Sequence, residues 1–280
     1  MDGSNALGTF LRARRALVRP EEVRMPASGT RRVAGLRREE VAELAGVSTD
    51  YYTRLEQGRE KHPSEQVLDA IAGVLRLEED AVAHLRGLAR PAPRARRRAA
   101  KREQVSPSLL RMLESWPDTP ALVLGERFTV LGHNALGRAL FAGHEHSDDL
   151  VRLVFLDPDA TTFYPDWERI ALNTVAGLRA TADASGRHDP ALVDLVGELS
   201  LKSAAFRRLW ARHDVRRKST ERKRFNHPLV GMLELTYEAL AVNSAPGQQL
   251  AVYQADPGSR SAEALGLLGS LAASEGSERG

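Results

Sequence analysis

Residues 38–58 read REEVAELAGVSTDYYTRLEQG, and nearly every position in that stretch has a physical reading. Ala42 is small enough for two helix backbones to approach each other, and Gly46 tolerates the positive φ of a tight turn between them. Val47 can plug the core beneath that turn, and Ser48 is a good N-cap for the helix that follows. Tyr52 and Leu55, three apart, give this helix an inward face. Thr49, Asp50, Tyr51, Thr53 and Arg54 are left outward, and Gly58 closes the C-terminal end. An ordinary helical hairpin would share some of these features. Their combination in one register, ending in Glu56-Gln57-Gly58, predicts a helix-turn-helix whose second helix spans about 49–57 and meets DNA.

Apolar residues at helical spacing continue on both sides. Leu7, Phe10, Leu11 and Leu17 predict a helix before the motif, and a loop follows at about 19–35. Leu36–Ala45 forms the first helix of the pair. Val67, Leu68, Ile71, Val74 and Leu75 predict a fourth helix, and Ala81, Leu85 and Leu88 a fifth. The composition then breaks at RPAPRARRRAAKR (residues 90–102), with two prolines and seven basic residues. Prolines end helices and like charges repel, so this stretch reads either as an extended spacer or as a second arm touching DNA.

Beyond it the pattern is mixed. Ser106–Ser115 is amphipathic, while Ala121–Leu124 and Phe128–Leu131 flank Gly125-Glu126-Arg127 as a hairpin. Helical stretches follow at about 134–141, 166–181, 190–199 and 203–213. Strands are expected at Lys223–Asn226, Gly231–Ala241 and Gln249–Ala255, with a final helix at Ser259–Leu271 capped by Ser259. The expectation is two domains, an all-α helix-turn-helix followed by an α+β domain with an antiparallel sheet. Their boundaries are 1–89, a linker at 90–105, 106–275, and a tail at 276–280.

Charge is divided unevenly. Residues 1–103 hold 21 Lys and Arg against 15 Asp and Glu, whereas 104–280 hold 19 against 22. The basic half suits a polyanion. Arg14, Arg31, Arg32, Arg37, Arg38 and Arg59 are candidates for phosphate contacts, with Arg54 a reader of guanine or a phosphate grip. Asp50 is repelled by phosphate, so it must face a donor such as cytosine N4 or cap its own helix. The absence of cysteine removes thiol chemistry and suits a reducing compartment. The N-terminus lacks a signal-peptide core and no apolar window is long enough to span a membrane, so a cytoplasmic protein, nucleoid-associated when bound to DNA, is expected.

The wording GLRREEVAELAGVS…YYTRLEQGR…VLDAIAGVLRL resembles the lambda-repressor/Cro-like, xenobiotic-response-element class of helix-turn-helix, and more narrowly the MmyB-like regulators. PALVLGERFTVLGHNALGRALF, FLDPDATTFYPDWERIA, LVGELSLKSAAFRRLWARHDVR, HPLVGMLELTYEAL and PGQQLAVYQADPGSRSAEAL resemble the C-terminal domain of the same family. The resemblance implies a recognition helix in the major groove, with Ser48, Thr49, Asp50 and Tyr51 nearest base edges and Arg54 one turn later. It also implies a PAS-like second domain that binds a fatty acid or similar hydrophobic molecule, and control of antibiotic pathways. Two departures stand out. His133-Asn134 replaces the family's tryptophan before the asparagine, and Lys218–Arg224 replaces a glycine-containing turn, which suggests an altered strand connection.

Phe163, Tyr164, Trp167, Phe206, Trp210 and Tyr237 are the aromatics best suited to line an apolar cavity, although aromatics at helical spacing are more often ordinary core. Asn134, Arg138, His213 and His227 are polar groups suited to a ligand head group, and Asn134 also suits a helix cap. His144-Glu145-His146 with Asp149 has metal-ligand types without a separated third ligand, so it reads as a loop. No nucleophile elbow, phosphate loop or dinucleotide fingerprint is present, and no cofactor is expected. The favoured reading is a homodimeric regulator bound to double-stranded operator DNA. The alternatives are a second domain that contacts a dimer partner or RNA polymerase without ligand, and an enzyme carrying a DNA-targeting domain.

Overall fold

A computed structural model describes residues 5–23, 25, 33–60, 62–89, 103–184, 189–215 and 220–277. The run at 90–102, together with Arg31 and Arg32, lies outside them. The described residues form two units, Met1–Ala95 with Arg208–Arg217, and Arg96–Arg207 with Lys218–Gly280.

In the first unit, α1 (Ala6–Leu17), α2 (Arg38–Leu44), α3 (Thr49–Glu56), α4 (Glu65–Val74) and α5 (Glu79–Ala89) enclose a core of Phe10, Leu11, Leu36, Val41, Tyr52, Leu55, Ile71, Leu75 and Leu85, all at most 1% exposed. A short 3-10 turn at Pro20–Val23 interrupts the expected loop. The turn between α2 and α3 forms as its residues dictate. Gly46 takes φ +68°, Ala42 is buried, and the Ser48 hydroxyl accepts from the Tyr51 N–H at 3.1 Å. Such a cap stabilises a helix by about 1 kcal/mol.

Glu56 of α3 is fully buried. Its carboxylate accepts from Arg15 Nε on α1 at 2.6 Å and from Arg38 Nε on α2 at 2.7 Å. Arg15 also donates to the Leu36 carbonyl at 2.7 Å. One carboxylate thus ties three helices together. The two guanidiniums hold it below the usual carboxylate range despite its burial. Close approach of α1 to this point requires Gly8, where a Cβ would lie 2.2 Å from the Glu56 carbonyl oxygen.

The second unit is built on an antiparallel sheet of β1 (Ala121–Leu124), β2 (Val130–His133), β3 (Thr220–His227), β4 (Gly231–Ala241) and β5 (Gln249–Gln254), in the order β2-β1-β5-β4-β3. Central strands β1 and β5 are buried on both faces, which is why ALVL and QLAVYQ read as apolar runs rather than alternating ones. On one face α6 (Pro107–Glu114) covers Ala121, Val123, Leu250 and Val252. On the other, Phe141, Phe163, Tyr164, Phe225 and Tyr253 meet ring to ring at centroid distances of 4.8–6.1 Å. The helices of this unit are α7 (Ala135–Leu140), α8 (Leu150–Leu156), α9 (Ala160–Phe163), α10 (Trp167–Ala184), α11 (Pro190–Lys202), α12 (Ala204–Trp210, whose last turn belongs to the first unit) and α13 (Arg260–Ser277). Of these, α13 lies against α7 and β4.

Several expectations needed correction. The second strand begins at Val130, not Phe128, because Phe128 takes φ +60° and its N–H closes a turn onto the Gly125 carbonyl. The strand expected at Lys223–Asn226 is longer, running from Thr220 to His227 and paired with β4 through Arg222↔Thr236 and Phe225↔Leu233. Helices α8 and α9 were not anticipated. LVRLVFL is apolar on too many sides to show a helical period.

Two buried polar residues organise the second unit. Asn134 accepts from the Ala121 and Gly137 N–H groups and donates to the Trp116 and Thr119 carbonyls at 2.8 and 2.7 Å. It therefore clamps the segment leading into β1 to the start of α7. His227, 2% exposed, bridges the Ala139 carbonyl through Nε2 and the Leu229 N–H through Nδ1. Only a neutral imidazole satisfies both contacts, and burial lowers its pKa.

Two outcomes are expected. Glu56→Gln leaves the buried Arg15 guanidinium, and the partly exposed Arg38 beside it, short of a charge and costs about 3 kcal/mol in urea denaturation, whereas Glu43→Gln, on the exposed side of α2, changes little. Because the folded-state pKa of His227 lies below its unfolded value, the unfolded chain gains the proton first as pH falls. Stability is therefore lost below about pH 6.5, with a slope of at most about 1.4 kcal/mol per pH unit from this group. Denaturation midpoints across pH 7 to 5 should show that loss in the wild type and a smaller one in His227→Gln.

Candidate nucleic-acid interface and ligand domain

The face of α3 turned away from the core carries the residues expected there. Ser48, Thr49, Asp50 and Arg54 are exposed, while Tyr51 and Thr53 are half-buried. Arg54 Nη1 meets Asp50 Oδ2 at 3.0 Å. Backbone N–H groups of Arg59 and Glu60 return to the Arg54 carbonyl, so the chain leaves the helix in a tight turn with the Arg59 side chain exposed. Tyr51 sits beside Glu60, and partial burial raises its hydroxyl pKa. Arg37 precedes α2, where its backbone N–H donates to the Glu40 carboxylate at 2.6 Å.

Arg38 is placed differently. Its guanidinium is engaged by Glu56, although the side chain remains 40% exposed. Arg14 pairs with Asp214 of the same unit. Sequence reasoning overlooked Glu56 and Arg15. The available signal was Glu56 itself, a charged residue four positions after Tyr52 and therefore at an inward phase of the helix.

In the second unit the proposed head-group and cavity residues do not converge. Asn134 and His227 are occupied as brackets, and Arg138 is exposed. Phe206 is fully buried against Phe155, with ring centroids 5.1 Å apart. Trp167 donates from Nε1 to the Val154 carbonyl at 2.8 Å. Tyr237 stacks near Tyr253 and lies beneath the Lys223 ammonium, 3.7 Å from the ring centre, and burial raises its hydroxyl to about 12. Trp210 and His213 lie in α12 and just after it, His213 at φ +53°, in the stretch grouped with the first unit.

A different cavity, of about 600 Å³, opens among the loop after β1, the loop before α8, and α11. Arg127, His146, Asp149, Arg152, Asp194 and Glu198 contribute to its wall. Arg152 is fixed between Asp149 and Glu198, the latter at 2.7 Å, and Arg127 pairs with Asp189 at 2.7 Å. None of the ten residues expected to line a ligand cavity or meet a head group lines it.

In the His144–Asp149 loop, His144 Nδ1 lies 3.1 Å from Asp157, whose other oxygen takes the Glu145 N–H. Asp149 caps α8. These groups are used in shaping the loop, and among the described residues no set of three or more His, Cys, Asp or Glu is placed to hold a metal ion. No described helix is long and apolar enough to cross a membrane.

Comparison with known families bears on both units. Residues 6–85 match a helix-turn-helix domain model, and residues 105–268, more than half the chain, match the MmyB-like transcription regulator ligand binding domain. No curated protein matches the chain. Both matched families are regulator domains, and the first is a DNA-binding one. The chain accordingly belongs to the MmyB-like transcription regulators, DNA-binding proteins whose helix-turn-helix is followed by a ligand-binding domain.

Proposed function

We propose that the protein reads a near-palindromic operator as a homodimer, with α3 in the major groove and half-sites about one helical turn apart. The observation that carries this reading is the open face of α3, with Thr49, Asp50, Tyr51 and Arg54 presented on a helix locked to α1 and α2 by Glu56. Ser48 and Thr53 flank that face, while Arg37, Arg38 and Arg59 supply phosphate contacts. A rigid support matters because base contacts are directional, and a helix that rocks loses them. Functional boundaries of 1–89 and 106–275, joined by 90–105, accord with this division of labour, as does a cytoplasmic location.

The second domain would bind a hydrophobic small molecule, in keeping with the family's ligands, and shift DNA affinity through unequal binding to two conformations. The aromatic face around Phe163, Tyr164, Phe225 and Tyr253 offers the apolar surface such a ligand needs. Since those rings already touch one another, entry requires them to separate. A second reading is favoured by Leu267 and Leu271, which stand 55% and 39% exposed on α13. Under it the domain is a docking surface for its own copy or for RNA polymerase, without a ligand.

Titration of a selected duplex by fluorescence anisotropy is expected to separate the contact types. Arg54→Ala should weaken binding about 5- to 150-fold in a base-dependent manner. Arg59→Ala should weaken it evenly across sequences and reduce the salt slope by about 0.9. Salt-insensitive binding that both variants share with the wild type would remove the DNA-reading role. Native mass spectrometry of the full chain should retain a lipid-sized mass. A bare mass at every gentle setting would favour the docking reading.

A further inference from the structure

The open face of α3 carries two opposite charges one helical turn apart. Asp50 and Arg54 are 76% and 47% exposed and are joined at 3.0 Å. Neither is needed to hold the helix, which is capped by Ser48 and packed through Tyr52, Leu55 and Glu56. A solvated pair at this spacing adds little to stability. A carboxylate at the leading end of a helix that meets DNA is also repelled by every phosphate, so its presence needs a local partner.

The major groove offers amino donors on cytosine N4 and adenine N6. Adenine sets its N7 acceptor beside that amino group, against which a carboxylate has no donor to give. Cytosine has no such acceptor next to N4, and its paired guanine offers O6 and N7 to a guanidinium. Asp50 and Arg54 present an acceptor and a set of donors side by side, which complements that pattern.

We propose that Asp50 is a specificity-determining residue, accepting from cytosine N4 while Arg54 donates to guanine O6 and N7, so that each half-site requires C·G pairing beneath the two side chains. Away from such a site, Asp50 offsets the attraction of Arg54 for phosphate and lowers background binding. This rests on α3 being the recognition helix.

The test uses the full chain as wild type, Asp50→Ala and Asp50→Asn. Each is taken through selection from fully randomised duplexes, followed by titration of the enriched duplex and its single-base variants. The wild type should enrich a motif in which replacing one cytosine weakens binding about 5- to 150-fold. Asp50→Ala should keep only the preference that Arg54 gives for the paired guanine, so that the penalty for replacing that cytosine falls, and should bind unrelated DNA more tightly. Asp50→Asn should narrow the margin of cytosine over adenine there, because adenine N6 and N7 match an amide while Arg54 still favours the paired guanine. Single-base penalties at that position that both variants leave unchanged overturn the role of Asp50 and leave the recognition helix standing. Failure of the wild type to enrich any motif overturns the recognition helix itself. Unchanged melting curves for the variants confirm that the fold is not what has moved.

Discussion

A single buried carboxylate organises the DNA-binding unit. Glu56 has no access to water, so its charge must be met from within the protein, and Arg15 and Arg38 meet it from two other helices. Taking the charges of Glu56 and Arg15 out of solvent is costly, and a hydrophobic cluster of similar volume would often be as stable. What the ionic cluster adds is direction. Apolar contacts tolerate sliding, whereas a carboxylate accepting from two guanidiniums at 2.6–2.7 Å fixes the rotation of α3 relative to α1 and α2. With that rotation set, the face bearing Asp50 and Arg54 is set as well. Arg38 therefore serves the fold through a side chain that remains partly open to solvent.

The sensing unit uses the same device with neutral groups. Asn134 holds the segment leading into β1 and the start of α7 through four hydrogen bonds, and His227 ties the β3–β4 turn to α7. Between these brackets the aromatic rings fill one face of the sheet. A face built from edge-to-face rings is adaptable, because each contact is worth only about 0.5–1.5 kcal/mol beyond its buried area. Sheet and brackets supply the stiff part of the domain, and the rings fill the face between them.

Much of this was legible in the residues. Gly46, Ser48, Tyr52 and Leu55 act locally, through backbone φ, a cap three residues away and a helical period, so they could be placed without a partner. The strand runs Gly231–Ala241 and Gln249–Gln254 were legible for the same reason. Phe128 misled because a β-prone side chain sat on a backbone bent into a turn. The apolar run at Leu150–Leu156 misled because burial on most sides erases periodicity. Asn134 and His227 suggested a head-group site because a buried polar residue looks alike in sequence whether a ligand or a backbone satisfies it.

The amino-acid sequence by itself determined the two-domain plan, the helix-turn-helix and the outward set of residues on its second helix, since each depends on interactions within about a turn of chain. Tertiary structure alone decided that Glu56 would be met by Arg15 and Arg38, that His227 would be neutral, and that the aromatic residues would close on one another. Those outcomes depend on which groups meet across 18 to 88 residues of intervening chain. No local propensity encodes such a meeting.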